Sequence, residues 1–370
     1  MSNINFHNSP FGESTQVKLL LFEDYIIEWL PVFLSAKVKY YKTINVFDFF
    51  CGPGKDSNGI HGSPAIILKS LRRYYRYLNN PEITINVFLN DENSDKVKAL
   101  KQMINKEQLD NGLGINIYYS SLDFKDAFDK YYQLMNQRSS ANLILLDQCG
   151  VSLVDFERLS LIMNLKTTDF IMFIASSSIR RFAQTEEIKK YFDTSKFEFT
   201  SNNYYETHRM VTEYLRIELC NNPKMNLIPF SLKKNSNIYG LIFGSAHIKG
   251  AFKFLKNCWK IDPDRGDANF DIDNDNLNPN VPSLFRELNT PKKLLSFEKE
   301  LINLILSSRL KTNIEIIKFS ISHGFLPTHA KQVVQIMINE KLIPKQKIRI
   351  SENAFSKQAV DFLSLKDDSI

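Results

Sequence analysis

The 370-residue sequence has little of what would mark a metal-held or disulfide-held domain. Its four cysteines, Cys51, Cys149, Cys220 and Cys258, are scattered and form no C-x-x-C pair, so there is no zinc spacing. With no secretory pattern at the start either, a reducing cytoplasm is the expected location. Long charge-free apolar runs are also missing. The most apolar stretch, Lys18 to Ser35, carries Glu23, Asp24 and Glu28 and contains Pro31, so it reads as an amphipathic helix and not a membrane span. No internal repeat stands out. Neither sign of charge dominates: the net charge of +6 and pI near 8.9 suit an anionic partner without requiring one.

What is abundant is core material, with 28 Phe and 15 Tyr in a chain longer than one core usually serves. The expected organisation is a main domain over 1–260, a linker over 261–290, a small domain over 291–350 and a tail over 351–370. The linker assignment rests on composition: Ile261 to Asn280 holds six aspartates and five asparagines. Asp271, Asp273 and Asp275 alternate as in a calcium loop. Asn276 then stands where glycine is needed and Pro282 where the bidentate glutamate belongs, so no metal site is expected.

In the main domain, short apolar runs alternate with helical patterns. Strands are expected at Ile44 to Phe50, Ile83 to Leu89, Ile115 to Tyr119, Asn142 to Leu146 and Asp169 to Ile174, and an antiparallel hairpin at Leu227 to Leu232 and Ile238 to Phe243. Near-continuous apolarity within each run suits parallel strands buried on both faces. The fold class is therefore α/β, a mostly parallel sheet with helices on both faces. Helices at Leu294 to Ser308, Asn313 to His323 and Pro327 to Lys341, followed by a candidate strand at Lys345 to Ile350, give a winged-helix pattern for the small domain.

Polar strand ends mark the candidate site. The first strand runs into Asp48 and a glycine turn, Gly52-Pro53-Gly54, and a helix opens at Ser63-Pro64, a layout that brings backbone N–H groups up to a nucleotide-like ligand. The second strand ends in Asp91 and Glu92, which suit ribose hydroxyls, and Asn90 is an alternative contact. Asp123, after the third strand, either accepts from an adenine amine or caps the next helix. The fourth delivers Asp147 and Gln148, and a carboxylate there can hold a substrate amine or take its proton. Cys51, inside the turn, reads as a small apolar filler, and His208 and His247 as structural residues.

The order Asp48, Gly52-Pro53-Gly54, Asp91-Glu92, Asp123 and Asp147 resembles the Rossmann-type S-adenosylmethionine-dependent methyltransferases. More closely, the chain is similar to the three-Cys-motif partner proteins. That likeness rests on Thr15, Lys18, Tyr25 and Trp29 of the leading helix, on Gly62-Ser63-Pro64, on Tyr239 to His247 and on the segment around His329-Ala330-Lys331. The resemblance implies a bacterial methyltransferase-like domain that binds S-adenosylmethionine through Asp48, Gly52, Pro53, Gly54, Asp91, Glu92 and Asp123, with Asp147 as catalytic residue and Gln148 against the substrate. It further implies a three-Cys-motif partner protein and a mobile-element or phage-defence setting. The family's Asp-Pro-Phe-Gly is Asp147-Gln148-Cys149-Gly150 here, without an aromatic residue to stack a target base. In the small domain Lys331 and Gln332, with His329 and Gln335, would face DNA or RNA. The competing expectation is a non-catalytic nucleotide sensor or partner-binding protein that keeps the fold.

Overall fold

The computed structural model describes residues 10–148, 156–189, 204–220, 222, 224–277, 283–345 and 349–356. They fall into two units, Met1–Gly250 and Ala251–Ile370. The first begins with α1 (Glu13–Leu34) and continues β1 (Thr43–Asp48), α2 (Ser63–Arg73), α3 (Tyr75–Leu78), β2 (Thr84–Asn90), α4 (Ser94–Lys106) and β3 (Asn116–Ser120). Next come α5 (Phe124–Met135), β4 (Ser140–Leu146), α6 (Phe156–Asn164), β5 (Thr168–Ile174), α7 (Ser176–Arg181), α8 (Glu186–Lys189) and α9 (Thr207–Glu218). The hairpin β6 (Asn226–Lys234) and β7 (Asn237–Ser245) closes the sheet, and α10 (Ile248–Ile261) begins at the end of this unit and belongs from Ala251 onwards to the second.

The seven strands lie in the order β3-β2-β1-β4-β5-β7-β6. The first five are parallel, and β7 runs antiparallel to both β5 and β6. Starting at β1, the chain builds outwards to β3, then returns to place β4 on the other side of β1. The crevice beyond the C-terminal ends of β1 and β4 is thus a topological switch point, where open α/β sheets take ligands. Burial follows position: every residue of β4 is buried, whereas β3, at the edge, is half exposed. Pro229 is tolerated in β6 because that strand is the other edge.

The register has a sequence cause that a search for long repeats misses. Thr43 to Phe47 and Thr84 to Phe88 are the same pentapeptide, Thr-Ile-Asn-Val-Phe, and they pair residue for residue. The row through Asn45 is a buried amide ladder. Asn116 donates to Asn86, Asn86 to Asn45, Asn45 to Asn142 and Asn142 to Thr168 Oγ1, each at 2.9–3.0 Å, so one chain of hydrogen bonds crosses five strands. Two residues along, Phe47 stacks on Phe88 at 4.5 Å and Phe88 on Tyr118 at 4.8 Å. A one-residue slip would break both rows.

In the second unit, α11 (Lys292–Leu306), α12 (Asn313–Ser322) and α13 (Pro327–Asn339) enclose a core that includes Phe297, Leu301, Ile317, Phe325 and Val333. Thr312 and Glu315 form a reciprocal capping box on α12. The expected strand at Lys345 to Ile350 falls partly on 346–348, outside the described residues; Lys345, Arg349 and Ile350 are not in a strand. His329, expected to face a groove, instead packs its ring 4.1 Å from Trp259 and accepts from the Leu326 N–H, closing the first turn of α13. The aspartate-rich segment is organised by an arginine: buried Arg265 pairs with Asp271 (2.7 Å) and Asp275 (2.8 Å). Among the described residues no helix is long and apolar enough to cross a membrane.

Candidate functional site

β1 carries the chain into a buried switch-point turn. Gly52 and Gly54 have φ of +59° and +87°, and a Cβ on Gly54 would lie 2.3 Å from Met103 and 2.6 Å from Leu100. Only glycine fits there. The loop is closed by Gly62 N–H to the Gly54 carbonyl at 2.8 Å, which brings the start of α2 back beside the strand end. Ser63 Oγ then donates to Asp48 Oδ2 at 2.6 Å, and the Phe50 N–H reaches Oδ1 at 3.3 Å. Burial raises the Asp48 carboxyl to about 7, the Ser63 bond opposing and the nearby Asp147 and Asp91 adding to the rise.

Above this turn lies a cavity of about 370 Å³, within the size range of small-molecule sites. Its apolar wall includes Phe11, Leu19, Phe50, Phe173 and Tyr239, and its polar groups include Thr15, Lys18, Ser63, Asp147 and Gln148. α1 therefore does more than cover the sheet: its first turns form one side of the cavity. The helix is held in register by Tyr25, buried, whose hydroxyl donates to Asp169 at 2.5 Å and whose ring meets Phe243 at 4.7 Å. Two turns earlier on the same face, Lys18 reaches across to Asp147 Oδ2 at 2.5 Å with its ammonium 4.7 Å over the Phe173 ring. The segment before α1 is tied down by the Phe11 N–H, which donates to Asp56 at 2.7 Å.

The expected site residues divide. Gly54, Asp147 and Gln148 line the cavity, and Asp48 lies directly beneath Ser63 of its wall. Gly52, Pro53, Asp91, Glu92 and Asp123 are outside that lining. Asp91 is occupied with the turn itself, accepting from Gly52 N–H (3.1 Å) and Asn93 N–H (3.0 Å). Asn90 is a clasp, bonded to the Phe49 and Leu122 carbonyls, the Leu122 N–H and Ser120 Oγ, and so is committed to joining three strand ends. Asp123 is exposed and caps α5 through the Asp126 N–H at 2.8 Å, while Glu92 is exposed at the end of β2. Lys331 and Gln332 are exposed on α13, in the second unit. Cys149 and Gly150 lie outside the described residues.

Two further assignments gain a physical basis. Cys51 lines the cavity but is buried, and burial, then Asp48 and Asp91, push its thiol well above the ordinary range, which opposes use as a nucleophile. His208 is fully buried, bonded to Ser176 Oγ (2.7 Å) and the Leu241 carbonyl (2.9 Å), and lowered by burial to about 4. Its ring fills the space a side chain at Gly240 would need. Sequence reasoning alone did not reach Phe50, Phe173 or Ser178 as cavity residues. Their signal is positional, since each stands at or just past the C-terminal end of β1 or β5.

No family model and no curated protein matches the chain. Among solved structures it is similar to a putative rRNA methylase from Clostridium thermocellum, at 12% identity and a TM-score of 0.31 over 59% of this chain and 92% of that one. It is also similar to the methyltransferase domain of a bacterial Hen1 (12%, TM-score 0.26, over 60% of this chain and 98% of that one). A third is the human methyltransferase 10 domain-containing protein (10%, TM-score 0.31, over 62% of this chain and 83% of that one).

Proposed function

We infer that the first unit is an S-adenosylmethionine-dependent methyltransferase of the three-Cys-motif partner type, acting in a bacterial mobile-element or phage-defence setting. The observation that carries this reading is the convergence, at one switch point, of the Gly52–Gly54 turn, the Asp48–Ser63 pair and a cavity of about 370 Å³ ending at Asp147. The residues fit the cofactor: an aromatic and aliphatic wall suits an adenosyl group, and Ser63, Thr15 and Gln148 supply the few fixed polar contacts such a site needs. Bound there, the cofactor supplies an activated methyl group, and the protein's task is alignment. Phe50, Gly54 and Ser63 would hold it from the turn side. Asp147 orients the acceptor and takes its proton, and Lys18 fixes the carboxylate's position.

One observation favours a second reading, a nucleotide sensor without turnover: Asp147 already has an ammonium partner in Lys18. Calorimetry with S-adenosylmethionine, followed by labelled methyl transfer to DNA, RNA or a three-Cys-motif partner, separates the two. Binding with transfer supports the enzyme, and binding without transfer to any of them supports the sensor. No binding by the wild-type chain overturns both.

A further inference from the structure

We propose that the sheet edge opposite the cavity, where the parallel strands begin, binds single-stranded nucleic acid. This surface is separate from the cofactor reading and does not rest on it. α2 starts at Ser63 in the cavity wall and ends at Arg73, about 16 Å further at helical rise, so the two sites lie at opposite ends of the strands.

Four neighbouring strands, in the order β2-β1-β4-β5, start on this edge, and each is preceded by a cation. Lys37 and Lys42 precede β1, Arg73 and Arg76 precede β2, Arg138 precedes β4 and Lys166 precedes β5. No carboxylate interrupts the sequence between Glu28 and Asp48, from Ser57 to Pro81, or between Asp129 and Asp147. Main-chain bonds put the segments side by side: Lys42 N–H donates to the Ser139 carbonyl at 2.9 Å and Thr84 N–H to the Lys42 carbonyl at 2.7 Å. Some cations here are committed. Lys39 caps the end of α1 at Leu34 (2.6 Å), and Arg73 pairs with Glu23 (3.3 Å). Lys37, Lys42, Arg76, Arg138 and Lys166 are exposed and pair with no carboxylate among the described residues. Glu82 is the one exposed carboxylate in the segment that leads into β2.

Aromatic rings are interleaved with these charges. Tyr40 is 80% exposed, Tyr75 47% and Tyr77 44%, and Val38, two residues before Tyr40, is 60% exposed. A single exposed ring needs no explanation, but three tyrosines set among unpaired cations reproduce the two elements of single-strand recognition. Cations track the phosphates and rings stack on bases of any identity. A duplex hides its base faces and would leave the tyrosines unused. An acidic protein would likewise satisfy the charges alone.

The test is fluorescence anisotropy of the full chain, without cofactor, on labelled mixed-sequence single-stranded RNA, single-stranded DNA and duplex DNA over a salt series. Binding to an unpaired strand in preference to duplex is expected. Lys42→Glu, Arg76→Glu and Arg138→Glu together should weaken it at least about tenfold and reduce the salt slope by about 2, at about 0.7 per phosphate lost. Tyr40→Ala, Tyr75→Ala and Tyr77→Ala together should weaken binding with the slope unchanged, and an unaltered urea-unfolding midpoint would show that the variant is folded. Lys318→Glu, exposed on α12, should leave binding unaltered. No binding to unpaired strands, preference for duplex, or wild-type affinity in either triple variant overturns the proposal.

Discussion

Lys18 Nζ lies 2.5 Å from Asp147 Oδ2, joining the first helix of the chain to the end of β4 across the cavity. The side chains are 12% and 25% exposed, between the surface pairs that contribute little and the buried pairs whose breaking costs several kcal/mol. A double-mutant cycle with Lys18→Met and Asp147→Asn should give a coupling of about 1–2 kcal/mol in urea unfolding. Additive effects would show that the pair does not hold α1. In turnover, Asp147→Asn should lose about 100-fold or more, the scale of general acid–base catalysis. Cofactor affinity should stay within about threefold, which separates a catalytic role from collapse of the site.

Gly54 and Gly62 are bonded to each other yet differ in what they tolerate. Gly54→Ala would add a Cβ at 2.3 Å from Met103 on a backbone of φ +87°, whereas at Gly62 the nearest atom would be the Gly54 carbonyl oxygen at 3.4 Å and φ is −87°. Left-handed backbone alone costs about 1–2 kcal/mol, and overpacking adds about as much again. Gly54→Ala should therefore destabilise by about 2–4 kcal/mol and Gly62→Ala by less than about 1 kcal/mol. Equal effects in denaturant titrations would refute this reading of the turn.

The amide ladder predicts a gradient from centre to edge. Asn45→Ala leaves Asn86 Nδ2 and Asn142 Oδ1 without their partners inside a buried row, at about 1–3 kcal/mol for each orphaned group, so a loss of about 2–6 kcal/mol is expected. Asn116→Ala removes only the terminal donor, which sits on the half-exposed edge strand, and should cost about 1 kcal/mol or less. Finding the edge substitution as damaging as the central one would rule out the ladder as the source of register.

Much of this architecture is legible in the chain because it depends on local patterns. Apolar strands are distinguishable from helices by period, and Asp48 with two glycines signals a turn by residue type alone. What depends on pairing is hidden. Asn45 and Asn86 look like polar interruptions in apolar runs until strand order sets them side by side. Lys18 reads as one charge on an amphipathic helix until Tyr25 fixes which way that helix faces. Asp91, Asn90 and Asp123 show the converse. Their position at strand ends is visible, but the partners that occupy them, the Gly52 N–H, the Leu122 backbone and the Asp126 N–H, are set by how the loops fold back.

Asp48 makes the site measurable without a ligand. Its folded-state carboxyl sits at about 7, against 3.8 unfolded, so between those values the folded protein holds a proton that the unfolded chain releases. The stability linked to that proton is fully present below the unfolded value, falls as pH rises and is gone above about 7. At about 1.4 kcal/mol per unit, the span is at most about 4.5 kcal/mol. Asp48→Asn does not titrate, and its amide oxygen can still accept from Ser63. The variant should therefore gain stability relative to wild type as pH rises from about 4 to about 7 and keep that advantage above it. Asp56, Glu107 and Asp271, whose carboxyls are lowered, act in the opposite direction but equally in both proteins, so they cancel from the difference. Urea unfolding of the two proteins in parallel across this range checks it, and a difference that does not change with pH would mean that Asp48 is ionised in the folded protein throughout.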